Sequence, residues 1–413
     1  MKKTPRSLLI LILGLLSALG PFSIDMYLPG FPTIAADLNT SVDHVSYSLS
    51  SFFIGVCIGQ LICGPLLDRF GRKKPLYIGL IIYVFASLGC AVATSVEVLV
   101  WLRFLQALGG CVSMVAPGAI VRDSFPVKEN AKVFSLLILI LGVSPIIAPT
   151  VGSFVIAGLG WHAVFILLAV IAALLLVMVI FLLPESKQPD HSISLRPRPI
   201  LTSFMFVLKQ PQFFTYAFSG AIAAAGLFAY LAGSPFVFMN IYKVTEQQYG
   251  WIFGLVAAGL IACSQLNNLV LRKYDSAQII KVVLLFQSFI GLVLFSGSYL
   301  EWLNIYSIIG LIFLFLSCQG FSFPNSSALS LAPFTREAGT ASALMGALQM
   351  GLGALASTLV GFINNGTTLP MTGVMASCAL LGLIILSIGR KRVEYKSRIE
   401  DVDEQAFGQI EKY

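Results

Sequence analysis

Gly64-Pro65-Leu66-Leu67-Asp68-Arg69-Phe70-Gly71-Arg72-Lys73-Lys74 lies between two long apolar runs, one starting near His44 and one near Pro75. An ordinary basic turn at a membrane surface accounts for Arg69, Arg72, Lys73 and Lys74. It does not account for an acid and two glycines at this spacing. Gly64 suits close approach of neighbouring helices, and Gly71 suits a tight turn. Asp68, at a helix end, requires a cationic partner. Arg122, at the matching end of the fourth apolar run, is the candidate. The expectation is a latch, Asp68 on Arg122, at one end of a helix bundle, with the basic trio set among anionic headgroups.

The rest of the chain supports a membrane setting for this loop. Of 413 residues, 57% are hydrophobic and 11% charged, against about 45–50% and about 25% in soluble domains. Such a chain cannot cover itself with polar surface in water, and it is too rich in aliphatic residues to stay unfolded. A bilayer core takes roughly 20 apolar residues of helix. Twelve such runs occur, beginning near Leu8, His44, Pro75, Glu97, Lys132, Ala163, Gln212, Gln248, Ile279, Leu303, Ala338 and Pro370, the last ending near Gly389. The first could also be read as a signal peptide, since Lys2, Lys3 and Arg6 precede an apolar run. No clear small-x-small cleavage site follows it, and Asp25 lies in the same stretch.

Twelve spans sort the charges. Of 26 Lys and Arg, 24 fall on one side, Lys243 alone on the other, and Arg103 inside a span. The positive-inside rule therefore predicts both termini in the cytoplasm. The net charge of +7 then records orientation and calls for no nucleic-acid partner. All seven cysteines fall in spans, so no disulfide framework is expected, and no Cys/His spacing suggests a metal or cofactor.

The longest internal connection, 184–208, carries Lys187, Asp190, His191, Arg196, Arg198 and several prolines, and reads as a polar linker. It separates an N-terminal six-helix half, 1–183, from a C-terminal half, 209–390, with a cytoplasmic tail at 391–413. The expected fold is an all-α membrane protein of twelve helices in two six-helix halves.

Only Asp25 and Arg103 place charge well inside spans, at a cost of about 2.5–3.5 kcal/mol each at a helix centre. At 1.5 Å per residue, Asp25 lies roughly 27 Å from the cytoplasmic side and Arg103 roughly 9 Å from the outer side. Both thus occupy the outer half of the bilayer and could face one cavity. Pro21 and Pro29 flank Asp25 by four residues on each side, which predicts a bent helix with freed carbonyls. Desolvation disfavours an ionised carboxyl, so Asp25 can take up and release a proton as the cavity changes side; the plainer reading is a polar residue hydrated near the interface. Arg103 stays charged. It either tunes the acid or binds substrate, or it serves backbone carbonyls as a strut. Tyr27, Gln106, Tyr230 and Phe236 are candidate cavity residues, with packing the plainer reading for the aromatics. In span five, Ser144, Ala148 and Gly152 share a helix face beside Pro145 and Pro149, a pattern suited to close helix contact.

The loop 64–74 resembles the signature loop of the major facilitator superfamily at every defined position. Arg103, Gln106, Gly109 and Gly110 resemble the span-four pattern of that superfamily, with Ala107 where a glycine is usual. The stretch Gly142 to Gly152 resembles the antiporter motif of its drug exporters with two departures. Ser23-Ile24-Asp25-Met26-Tyr27-Leu28-Pro29, Val121-Arg122-Asp123 and Ala338 to Leu344 resemble the Bcr/CflA drug-resistance transporters. This resemblance implies the superfamily's two-half fold, a bacterial inner-membrane location, and proton-coupled antiport of small amphipathic drugs of the bicyclomycin or chloramphenicol kind by a monomer. It implies proton coupling at Asp25 and Arg103 and a gate motif of Gly64, Asp68, Arg69, Gly71, Arg72 and Arg122. A proton-coupled importer or exporter of a small metabolite on the same fold is the alternative. No Gly-Lys dipeptide, HExxH or GxSxG occurs, so neither a nucleotide-driven pump nor a membrane enzyme is expected.

Overall fold

The structure, a computed structural model, describes residues 5–190, 195, 197–334 and 337–410. Lys2, Lys3, His191, Arg196, Arg336 and Lys412 lie outside the described residues, as do the side chains of Lys128, Lys132, Lys396 and Arg398. Twelve helical stretches are long and apolar enough to cross a membrane, and no strand occurs among the described residues. Helix is the form that satisfies every backbone group within one segment, which hydrocarbon demands.

The first half holds α1 (Arg6–Asp25), α2 (Phe31–Asp37), α3 (Val42–Phe70), α4 (Lys73–Ala91), α5 (Val96–Ser124), α6 (Val127–Leu159) and α7 (His162–Phe181). A connecting helix, α8 (Pro197–Leu208), follows. The second half holds α9 (Pro211–Pro235), α10 (Glu246–Val270), α11 (Ser276–Tyr299), α12 (Ile305–Leu331), α13 (Ala338–Phe362) and α14 (Leu369–Ile410). Within the first half α3, α4 and α5 pack together and α4 packs on α7; within the second, α9 packs on α13 and α14, and α11 on α12 and α14. The two bundles meet where α3 packs on α13 and α6 on α10.

Four of the helices that enter from the end opposite the basic loops share one device. Ser41, Ser95, Thr245 and Asn304 each accept a backbone N–H of the first turn of α3, α5, α10 and α12. These caps satisfy donors that a helix start leaves unpaired. They sit at the second and fourth spans of each half, so the two halves repeat.

Three regions differ from expectation. The helix that carries the span near Lys132 begins earlier, at Val127. The stretch 184–208 is not a plain linker but ends in α8. The last helix runs on beyond Gly389 to Ile410, because Arg, Lys and Glu end an apolar span without ending a helix they favour.

The first span breaks at the expected place. α1 stops at Asp25, a short 3-10 turn covers Leu28–Gly30, and α2 resumes at Phe31. Pro29 has no N–H to give the carbonyl four residues earlier, that of Asp25. Pro21, by contrast, is carried inside α1.

Candidate functional site

The break in the first span gathers the polar residues of the first half. Arg103 on α5 is fully buried. Its Nη2 donates to the Ser23 carbonyl at 2.8 Å, in the last turn of α1, where helical carbonyls lack an intrahelical donor. Its Nη1 donates to Gln106 Oε1. Gln106 Nε2 donates in turn to Ser87 Oγ on α4 at 2.7 Å, and the hydroxyls of Ser23 and Tyr83 are hydrogen-bonded to each other. The guanidinium lies between two rings, 4.3 Å from the centroids of both Tyr27 and Phe52. The Tyr27 hydroxyl reaches Ser48 Oγ at 3.2 Å. A buried cation is thus held by a carbonyl, an amide and two π-faces, a set that solvates charge without an anion.

Asp25 is also buried, at 4% exposure. It forms no ion pair with Arg103, and no hydrogen bond to its carboxylate occurs among the described residues. The two charges that could face one cavity stand in different surroundings in the fold. Arg103 packs inside the first half, whereas Asp25 lies at the seam, within electrostatic range of Tyr230 and Tyr249 of the second half. Tyr249 shares a 2.8 Å hydrogen bond with Ser234; the Tyr230 hydroxyl, buried beside Ser234, has no hydrogen bond of good geometry. Among the described residues, Asp25, Arg72 and Arg103 are the buried charged side chains, and Asp25 is the acid of the three.

Of the four expected cavity residues, Tyr27 and Gln106 are fully enclosed in the Arg103 network. Tyr230 is buried at the seam, its ring 5.8 Å from that of Phe253. Phe236 opens the π-helical turn Phe236–Ile241 and lines a narrow cleft of about 10 Å³ with Asp43, Ser46, Gly361 and Thr367.

The proline stretch of α6 supports the same place from behind. A Cβ on Gly152 would collide with the backbone carbonyl of Met26, next to Asp25. Only glycine allows α6 to press on the break this closely. On its other side α6 meets α10: a Cβ on Gly250 would lie 3.5 Å from the Pro149 carbonyl and 3.3 Å from Ser153 Oγ. Pro145 stands one turn before Pro149, half-buried.

At this opposite end the halves are tied. Thr33 Oγ1 on α2 donates to the Glu246 carboxylate on α10 at 2.9 Å. Ser50 and Ser357 share a buried hydrogen bond of 2.8 Å between α3 and α13, and Phe53 meets Phe228 edge-on at 4.7 Å.

The loop 64–74 holds a different set of partners from the one expected. The Asp68 carboxylate accepts from Lys187 Nζ at 2.8 Å and from Arg72 Nη1 at 3.0 Å. Arg122, exposed at the end of α5, takes no part in these bonds; its neighbour Asp123 accepts from Arg72 Nε at 2.7 Å. Successive residues of a helix point about 100° apart, and it is Asp123 that faces the loop. Burial alone weakens the Arg72 charge, but Asp123 and Asp68 outweigh it and hold the guanidinium above its ordinary pKa. Glu185, just after α7, accepts from the backbone N–H groups of Arg72 and Lys73 at 2.7 and 3.1 Å. It thereby caps α4, a role that no local spacing reveals. Gly71 has φ of 82°, the conformation its turn requires. Nothing approaches the Cβ position of Gly64 within 4 Å, so close packing is not its role; that falls to Gly55 and Gly59, which meet α5. The Arg69 guanidinium lies 5.8 Å over Phe70.

Residues 13–358 match the family model described as Major Facilitator Superfamily. The chain is 32% identical over 375 residues to the bicyclomycin resistance protein homolog of Haemophilus influenzae, covering 91% of this chain and 94% of that one. It is 33% identical over 395 residues to the MFS-type transporter YdgK of Bacillus subtilis, covering 95% and 98%. It is 29% identical over 373 residues to the multidrug resistance protein MdtL of Escherichia coli, covering 89% and 91%. Among solved structures, a D-xylose-proton symporter superposes with a TM-score of 0.71 at 15% identity, covering 92% of this chain and 97% of that one. A bacterial homolog of the human lysosomal transporter Spinster, inward-facing, superposes at 0.68 and 15% identity, covering 93% and 95%. These two likenesses show the fold. The family implies transport rather than catalysis. The chain belongs to the Major Facilitator Superfamily: it is a multi-pass bacterial inner-membrane protein and a secondary transporter of small molecules.

Proposed function

We propose that this transporter is a proton-coupled exporter of small amphipathic drugs, of the Bcr/CflA kind, working by alternating access. The observation that carries the proposal is Asp25: a buried carboxyl without ion pair or hydrogen bond, at the end of a broken helix, on the seam between halves that move against each other. With the site open outward, Asp25 takes a proton and cargo leaves. With the site open inward, Asp25 gives up the proton and cargo binds. Each charge moved through 100 mV supplies about 2.3 kcal/mol. Arg103 acts as a positioning residue, holding the Ser23 carbonyl and thus the break that presents Asp25. Tyr230 and Phe236 belong to the second half's side of the path. The names of the relatives in Haemophilus influenzae and Escherichia coli support drugs as cargo and export as direction.

The same proposal includes a first half of 1–183, a linker of 184–208, a second half of 209–390 and a tail of 391–413. Both termini are cytoplasmic, the gate of Asp68, Arg72 and Lys187 lies on that side, and the monomer is the working unit. The test is gradient-driven transport in proteoliposomes, with bicyclomycin and chloramphenicol in the panel and native protein compared with Asp25→Asn. Loss of proton-coupled export with retained drug binding is expected. Normal gradient-driven export by the variant overturns the coupling role. Movement of a small metabolite and of none of the drugs supports the metabolite reading instead.

A further inference from the structure

The connecting helix α8 carries more apolar surface than its packing uses. It has 12 residues, about 18 Å of helix, too short to span a bilayer. One face is spoken for: Phe204 and Val207 are buried with Phe213, Phe334 and Leu344 at the basic end of the bundle, with Leu61 of α3 packed against the same cluster. That cluster fixes α8 at the level where the spans leave the membrane. The rest of the helix is open. Leu201 is 60% exposed, Met205 54% and Phe206 60%. Arg198 and Lys209, both exposed, stand at its two ends.

The polar residues on the open side do not need water for their donors. Thr202 Oγ1 donates to the Arg198 carbonyl at 2.9 Å, and Ser203 Oγ to the Pro199 carbonyl at 3.1 Å. Next along the chain, Phe214, 47% exposed and stacked on Phe218, begins the lipid-facing surface of α9. An amphipathic helix with exposed large apolar side chains, internally satisfied hydroxyls and terminal cations matches the boundary of a bilayer whose headgroups are anionic.

We propose that the open side of α8 is a docking surface for anionic phospholipid, with Leu201, Met205 and Phe206 among the upper acyl chains and Arg198 and Lys209 on the headgroups. Its occupant is the membrane's own surface, not a protein partner. Through Phe204 and Val207 the helix ties that surface to the ends of α9, α12 and α13, so the lipid composition bears on the second half of the transporter.

The test uses the full chain in vesicles. All four native tryptophans, Trp101, Trp161, Trp251 and Trp302, lie at the other end of the bundle. Phe206→Trp therefore adds one fluorophore at the basic end, read as the difference from native protein. Vesicles mix phosphatidylcholine and phosphatidylglycerol, with bromine on the acyl chains of one or the other. The expected result is quenching by both, stronger for brominated phosphatidylglycerol. At low ionic strength, adding Arg198→Gln and Lys209→Gln lowers that preference by on the order of 30-fold while quenching persists. A fluorophore quenched by aqueous iodide and untouched by lipid bromine overturns the proposal. So does equal quenching by the two lipids, whether or not the cations are present.

Discussion

Replacing Arg103 by lysine separates a strut from a tuner of Asp25. The native guanidinium reaches the Ser23 carbonyl at 2.8 Å and Gln106 at the same time, between two rings at 4.3 Å. Lysine keeps the charge but is a point donor, and it cannot span both partners or lie flat between two faces. The variant loses one charge-assisted hydrogen bond, about 1.5–3 kcal/mol, and one ring face, about 0.5–2 kcal/mol. Side-chain hydrogen bonds between membrane helices run weaker, about 0.6 kcal/mol on average, so the net loss expected is about 2 kcal/mol. Equilibrium unfolding in mixed micelles, followed by tryptophan fluorescence, reads it. The pH profile of transport by the folded protein is expected to stay in place, because no bond joins Arg103 to Asp25. Gln106→Leu removes both the acceptor of Arg103 Nη1 and the bridge to Ser87 while sparing the bond to the Ser23 carbonyl; it too is expected to lose stability and leave the profile unmoved. The reasoning fails if Arg103→Lys unfolds within about 1 kcal/mol of native while its pH midpoint moves by about one unit, itself worth about 1.4 kcal/mol. That pattern would make Arg103 a partner of the acid's charge.

Gly152→Ala places a methyl on the Met26 carbonyl; overpacking of this kind costs about 1–3 kcal/mol, and a lower melting temperature in detergent together with weak transport is expected. Thr33→Val removes the bond to Glu246 that ties the halves. At about 1 kcal/mol the population open at that end rises about fivefold, visible as longer distances between spin labels at Asn39 and Lys243, both exposed. Glu185→Ala uncaps α4, at about 0.5–2 kcal/mol, and is expected to speed hydrogen exchange at the Arg72 and Lys73 amides, which it now holds.

Much of the fold was legible in the chain before any contact was known. Twelve runs of apolar residues require twelve helices, because backbone groups in hydrocarbon must pair within their own segment. The break of the first span was legible too, since Pro29 removes a donor wherever it stands. Asp25 and Arg103 stood out because charge in a span is costly and rare. The latch was misread for a reason of the same kind: Arg122 is the nearby cation by sequence, but orientation around α5 presents Asp123, and the acid's second partner comes from a connection that no pattern ties to the loop.

The sequence by itself determined which segments enter the membrane, which residues cap or break them, and which two charges remain inside. These are properties of short stretches and of the solvent they meet. Only the tertiary structure decided who meets whom. Arg103 and Ser23 are 80 residues apart, Asp68 and Lys187 119, and Thr33 and Glu246 213. Helix packing, not spacing along the chain, brings such pairs together. It is packing that set Arg103 on a carbonyl of its own half and left Asp25 facing the other.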